Sequence, residues 1–227
     1  MKKLLIIIGV CLTSLTSAIA QTASWSAVAP NYFPTNVSGQ IHGISRVSQL
    51  KFHPSDPNKL YAVSARGGLF ISTNGGNNWN LAPGCDLMPG MRLASVCIDH
   101  TNDQVIYLGT GDHNYYYSGS GVYKSTNGGA TFVASNSGMG SKLVVDMIMD
   151  PTNNQVIVAA THSGIYRTTN AGTSWTQVYA GRSWDDLKQK SATSRVLYAA
   201  TTDSAFFRSA DFGLTWTQIN NGIVLPS

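Results

Sequence analysis

The sequence predicts an all-β fold: a β-propeller of four-stranded blades, with four blades present in this chain. Three observations predict it. An eight-residue turn recurs four times, its starts 53, 43 and 41 residues apart. Around each copy the same succession of short apolar runs and Pro/Asn/Asp/Gly turns repeats, and four short strands in roughly 40–45 residues make one propeller blade. The composition is rich in turn-formers and poor in helix-formers. The chain has 22 glycines and 11% charged residues, and its 11 acids are all Asp with no Glu. Exposed helix faces, by contrast, are usually built from Glu, Lys, Arg and Ala.

The elements follow in chain order. Met1-Lys2-Lys3 is a short basic segment, Leu4 to Leu15 an apolar one, and Ala18-Ile19-Ala20 an A-x-A cleavage signal before Gln21. Together they read as a secretory signal peptide over residues 1–20, cut after Ala20. The apolar run is too short for a membrane span, and no later stretch approaches one. The mature protein is therefore expected to be secreted, periplasmic or displayed at the cell surface, without membrane insertion after cleavage. Two of the 15 basic residues lie in the leader, and the remaining 13 face 11 acids. That near-balance excludes a strongly basic nucleic-acid binder. With 43% hydrophobic residues the chain can bury a full core.

Residues 21–40 form an N-terminal segment. Within it Trp25-Ser26-Ala27-Val28 resembles Trp175-Thr176-Gln177-Val178, which reads as an outer strand able to close a last blade. Cys85 and Cys97 are the only cysteines beyond the leader. An oxidising compartment makes them a candidate disulfide. Two partly buried free thiols are the alternative, because sequence separation does not fix a Cα distance. Two cysteines alone make a weak metal site, and neither metal nor cofactor is expected.

Blades occupy residues 41–227. The first three strands of each recur as Leu50-Lys51-Phe52, Leu60-Tyr61-Ala62-Val63 and Gly68-Leu69-Phe70-Ile71 in blade 1. Blade 2 has Val96-Cys97-Ile98, Val105-Ile106-Tyr107-Leu108 and Gly121-Val122-Tyr123-Lys124. Blade 3 has Met147-Ile148-Met149, Val156-Ile157-Val158-Ala159 and Gly164-Ile165-Tyr166-Arg167. Blade 4 has Leu187-Lys188-Gln189, Val196-Leu197-Tyr198-Ala199 and Ala205-Phe206-Phe207-Arg208. The repeat turn follows each third strand. Its hydroxyl, amide or carboxyl, glycine and aromatic positions are Ser72, Asn74, Gly76 and Trp79; Ser125, Asn127, Gly129 and Phe132; Thr168, Asn170, Gly172 and Trp175; and Ser209, Asp211, Gly213 and Trp216.

These turns resemble the Asp-box, or bacterial neuraminidase repeat, S-x-D-x-G-x-x-W, with Asn for Asp in three copies and Phe132 for Trp in one. The resemblance covers roughly residues 41–220 and points to the sortilin-like, sialidase-like and xyloglucanase-like propellers. The whole chain most resembles secreted Bacteroidetes-type propellers exported by a type IX system. Propellers of this kind commonly close with more than four blades, so the four are expected to be part of a larger ring. The box is structural: its polar side chain bonds turn amides, glycine supplies the positive φ, and the aromatic ring packs beneath the hairpin. Asn can accept the same bonds through its carbonyl.

Labelling the strands A to D from centre to rim puts the A–B and C–D turns on one face and the B–C and D–A loops on the other. The repeat turns are C–D turns, so ligand candidates fall on the opposite, loop-bearing face. They are Arg66, Asp112, His113, Tyr115, Tyr116, Tyr117, His162, Trp184 and Asp203. The three tyrosines could stack on a sugar or peptide, or pack on a neighbouring blade. Aligned polar positions on strand A, at Gln49, Ser95, Asp146 and Asp186, are expected to line the central channel. Asp146 with Asp186 is the one candidate acid pair, and Asp112-His113 a candidate metal or base pair lacking a third ligand. His42, His53 and His100 read as turn or strand-end residues.

An enzyme reading competes with a binding reading. The sialidase resemblance implies a Tyr/Glu nucleophile pair, and this chain has no Glu. The xyloglucanase resemblance implies a catalytic Asp in the first B–C loop, two residues before the paired glycines. Ala65 stands there, in Val63-Ser64-Ala65-Arg66-Gly67-Gly68, whereas glycoside hydrolysis usually needs two carboxyls. No catalytic residue is assigned. The expected function is a non-catalytic module or scaffold that binds a glycan or an extracellular protein or peptide. The alternative is part of a glycoside hydrolase whose catalytic residues lie partly outside this chain. The repeat alone also resembles thylakoid propellers that assist photosystem assembly.

Overall fold

A computed structural model of the chain describes residues 46–88, 92–112, 119–181 and 184–221. The leader, Trp25–Val28, His42, His113 and Tyr115 to Tyr117 lie outside the described residues. Among the described residues sixteen strands form four antiparallel sheets of four strands each, arranged as the four blades of a propeller. Blade 1 contains β1 (Val47–Phe52), β2 (Leu60–Ser64), β3 (Gly68–Ser72) and β4 (Asn80–Leu81); a 3-10 turn, Pro83–Leu87, follows. Blade 2 contains β5 (Leu93–Ile98), β6 (Ile106–Thr110), β7 (Val122–Ser125) and β8 (Val133–Ala134). Blade 3 contains β9 (Val144–Asp150), β10 (Asn153–Thr161), β11 (Gly164–Thr168) and β12 (Thr176–Ala180). Blade 4 contains β13 (Trp184–Gln189), β14 (Leu197–Thr201), β15 (Phe206–Ser209) and β16 (Thr217–Gln218). Strand order in each sheet follows chain order, and β5 packs against β1 and β9, as β9 does against β13.

Strand alternation explains the packing, because successive side chains leave a sheet on opposite faces. In blade 2, Val96, Ile98, Ile106 and Leu108 point backward to Tyr61, Val63 and Leu69 of blade 1. Cys97, Tyr107 and Val122 point forward to Met147, Met149, Ile157 and Trp175 of blade 3. The forward face of blade 3, with Val158, Ala160 and Ile165, meets Leu187, Leu197, Phe207 and Trp184 of blade 4. Each junction therefore joins the forward face of one blade to the backward face of the next.

The same alternation separates the cysteines, and both are buried thiols outside any disulfide. Cys85 lies in the core between blades 1 and 2, where its Sγ accepts the Leu69 N–H at 3.3 Å. Cys97 faces blade 3 from the other side of the blade 2 sheet. The candidate disulfide is thus not formed. Burial pushes the Cys97 thiol up to about 12, so it stays protonated and inert at neutral pH. Native protein should resist alkylation at both positions, and denaturation without reductant should expose both thiols. A peptide map showing Cys85 linked to Cys97 would contradict this arrangement.

The repeat turns share one hydrogen-bond pattern. The hydroxyl of Ser72 donates to Asn74 Oδ1 at 3.1 Å and accepts the Gly76 N–H at 2.9 Å, while Asn74 Oδ1 accepts the Asn78 N–H at 2.9 Å. Ser125–Asn127, Thr168–Asn170 and Ser209–Asp211 repeat it, with hydroxyl-to-acceptor distances of 2.9, 2.8 and 2.8 Å. Asn fulfils the role because the shared bonds need only an acceptor oxygen. Asp211 uses its second oxygen as well, accepting from Thr215 Oγ1 at 2.6 Å. Burial alone would raise its carboxyl, but the bonds from Thr215, Ser209 and Leu214 hold it below the ordinary 3.8. The stability it contributes is therefore present above pH 3.8 and lost as pH falls through the depressed value. Asp211→Asn should flatten the acid limb of a melting-temperature profile below pH 4; an unchanged limb would remove Asp211 as its source.

The fourth turn position is left-handed in every copy: Gly75 and Gly128 at φ of 69° and 67°, and Ala171 and Phe212 at 52° and 54°. A side chain there costs roughly 1 kcal/mol. Ala171→Gly should accordingly leave stability unchanged or raise it by up to about 1 kcal/mol in a denaturant titration; a clear loss would contradict this. The turn aromatics are not equivalent in burial. Trp79 and Trp175 are buried, whereas Phe132 and Trp216 are half-buried at the rim, beside the two-residue strands β8 and β16.

Candidate functional site

The first residues of β1, β5, β9 and β13 reach the face that carries the B–C and D–A connections. There they surround a polar chamber of about 290 Å3, lined by Arg46, Gln49, Asp112, Asp146, Asp186 and Lys188 among others. The opposite ends of the same strands surround a larger and mainly apolar chamber of about 580 Å3, lined by Phe52, Ile98, Met147, Met149 and Leu187 with Lys51 and Lys188. The channel is therefore polar towards the loops and apolar towards the repeat turns.

Asp146 contributes to the wall between them. Its buried carboxylate accepts Gln49 Nε2 at 2.8 Å, Lys51 Nζ at 3.2 Å, Lys188 Nζ at 3.3 Å and the Met147 N–H at 2.8 Å. Gln49 in turn accepts the Val96 N–H at 2.9 Å, so one side chain ties β1 to both β5 and β9. The Lys188 ammonium also donates to Asp186 and so sits between the two carboxylates. Burial alone would lower the Lys188 pKa, but Asp146 and Asp186 beside it hold it above its ordinary value. At the chamber's rim, Arg46 Nη2 donates to the buried Asp112 at 2.6 Å. Charges in this site are largely spent on one another, which fixes the donors and acceptors in place. Among the described residues no three His, Cys or Asp side chains are grouped to hold a metal ion.

The residues expected at the site divide between several places. Gln49, Asp146 and Asp186 line the chamber as their alignment suggests, and Asp112 joins them. Ser95 does not, because its hydroxyl turns into the blade junction and donates to the Val144 carbonyl at 2.9 Å. Arg66 and Asp203 are exposed in the B–C turns of blades 1 and 4, and His162 is half-buried in that of blade 3. Trp184 is a correction. It is fully buried and packs edge-on to Tyr179 and Phe207, with ring centroids at 5.5 and 4.9 Å, so its ring belongs to the core. Its place at the start of an A strand, rather than within the loop before it, turns it inward. Ala65 is buried in the first B–C turn, its N–H bonded to the Arg46 carbonyl at 3.1 Å. Sequence reasoning missed Arg46, Lys51 and Lys188. Lys51 and Lys188 were legible in principle, since each stands two positions after an aligned channel residue and so shares its face.

No family model and no curated protein matches the sequence. Solved structures match by fold. An ancestral GH74 enzyme superposes with a TM-score of 0.63 at 24% identity, over 82% of this chain and 27% of its own. The GH74 enzyme of Niastella koreensis gives 0.59 at 20% identity, over 79% of this chain and 31% of its own. YCF48 bound to D1 peptide gives 0.52 at 16% identity, over 78% and 56%. The chain thus spans about a third or less of the GH74 enzymes and about half of YCF48. The likeness establishes the propeller fold.

Proposed function

We propose that this chain is a secreted, non-catalytic binding propeller of the Asp-box type, which takes a glycan or an extracellular peptide on its loop-bearing face. The observation that carries the reading is the Lys188 ammonium seated between Asp146 and Asp186, the two residues that form the candidate acid pair. Glycoside hydrolysis needs two carboxyls separated by an open gap for substrate and water. Here the gap holds a cation, and Asp146 is engaged on both oxygens. What the chamber does offer is a set of fixed hydrogen-bonding groups at the mouth of a channel, the usual means of orienting a polar ligand. The leader supports export, and the whole-chain resemblance supports a type IX route. The fold likeness to GH74 enzymes and to a peptide-bound YCF48 supports a polymeric ligand, either glycan or peptide.

The test is capture on glycan and peptide arrays. Converting Tyr115, Tyr116 and Tyr117 together to alanine should abolish capture, since anchor tyrosines often contribute more than about 1 kcal/mol each. The melting temperature should hardly move. A large fall in melting temperature would show that the tyrosines serve the core instead.

A further inference from the structure

The innermost strands β1, β5, β9 and β13, with the A–B turns that follow them, wall the apolar chamber on the repeat-turn face. At about 580 Å3 it has the size of a small-molecule site. Ile98, Met147, Met149 and Leu187 give it an aliphatic and thioether lining, and methionine adapts readily to the shape of an apolar guest. The glycan or peptide reading concerns the opposite face and makes no use of this chamber.

The charges that line the chamber are of one sign. Lys51 and Lys188 both line it, whereas their partners Asp146 and Asp186 line the polar chamber instead. Among the described residues no Asp lines the apolar chamber. The two ammoniums differ in what they have left to donate, each starting with three N–H groups. Lys188 spends its own on Asp146, Asp186 and the Leu187 carbonyl. Lys51, with its side chain 31% exposed, donates to Asp146 alone among the described residues. Two of its N–H groups are thus left for a ligand at the edge of an apolar space.

We propose that this chamber binds a monomeric amphipathic acid, its apolar chain against Ile98, Met147, Met149 and Leu187 and its carboxylate on the Lys51 ammonium. Charge complementarity selects an anion: a cationic head would meet two like charges, and a neutral one would forgo the stronger, charge-assisted bond to Lys51. Removal of the chain from water supplies the drive. A free monomer suits a concave chamber walled by four strands, whereas a bilayer surface needs an exposed apolar patch or helix face.

Titration calorimetry of the purified full chain with decanoate, kept below its micelle-forming concentration, tests this. Binding should saturate at one molecule per chain. Across octanoate, decanoate and dodecanoate, each added methylene should tighten it up to about fourfold. Lys51→Met should weaken decanoate about tenfold or more, Lys51→Arg should keep most of the affinity, and 1-decanol should not distinguish Lys51→Met from the parent. With the methionine methyl groups labelled for NMR, decanoate should shift the Met147 and Met149 signals and leave that of Met88, in the core between blades 1 and 2, in place. This second readout uses the parent protein, so it decides the matter even where Lys51→Met fails to fold. The proposal is overturned by the absence of saturable binding, or by binding only once micelles form, which would indicate a surfactant surface. It is equally overturned by decanol binding as tightly as decanoate, by full affinity in a folded Lys51→Met, or by shifts that spare Met147 and Met149.

Discussion

Trp175→Ala should destabilise the protein by about 3–5 kcal/mol, lowering the melting temperature by roughly 10 °C or more for a domain of this size. The ring is buried between blades 2 and 3, against Met139, Met147, Ile157 and Tyr107. Its indole N–H donates to the Ser135 carbonyl at 2.7 Å. Removal leaves both a cavity and a carbonyl without its donor, two costs that add. Phe132 occupies the equivalent turn position but is half-buried, so Phe132→Ala should cost clearly less, about 1–2 kcal/mol. Equal losses in parallel denaturant titrations would show that the repeat aromatics are interchangeable and that burial at the rim does not set their worth.

Asp146→Ala should be the largest loss among the polar positions, about 2–3 kcal/mol. Breaking a buried ion pair typically costs about 3–5 kcal/mol, but Lys51 and Lys188 retain access to water and recover part of it. The effect is expected to be asymmetric. Lys188→Met should cost well under 1 kcal/mol, because its side chain is 64% exposed and Asp146 keeps Gln49 and Lys51. The raised Lys188 pKa means that its contribution is complete below pH 10.5 and is lost only as pH rises through the higher folded value. Thermal melts of the two variants at neutral pH decide the point. A Lys188→Met loss as large as that of Asp146→Ala would mean that the lysine, not the carboxylate, anchors the channel wall.

The blades were legible because their signals are local. The repeat turn sets its own hydrogen bonds within eight residues, and strand alternation fixes which side chains meet the neighbouring blade. The strand positions, the place of the turns and the channel-facing Gln49, Asp146 and Asp186 all follow from such periods. What escaped depends on contacts between distant segments. The partnership of Asp146 with Lys51 and Lys188 joins residues far apart in sequence. Nothing in the run Arg46 to Gln49 announces that Arg46 will meet Asp112. Trp184 was misplaced because a loop-edge aromatic and a strand-start aromatic look alike until the register is known. The cysteines were undecided for the same reason: Cys97 faces away from Cys85 by one step of the pleat. The strand repeat located the first B–C turn, between β2 and β3, and the Ala65 buried there carries no carboxylate.

As proposed above, the loop face binds its ligand without cleaving it. One measurement bears on it most directly: incubation of the purified chain with each captured glycan, including xyloglucan and a sialoside, followed by quantitation of new reducing ends alongside bound ligand. Saturable binding without new reducing ends, weakened by Asp112→Asn at the chamber's rim, is the predicted result. Turnover that disappears in Asp112→Asn, Asp146→Asn or Asp186→Asn would contradict it and make the channel carboxylates catalytic.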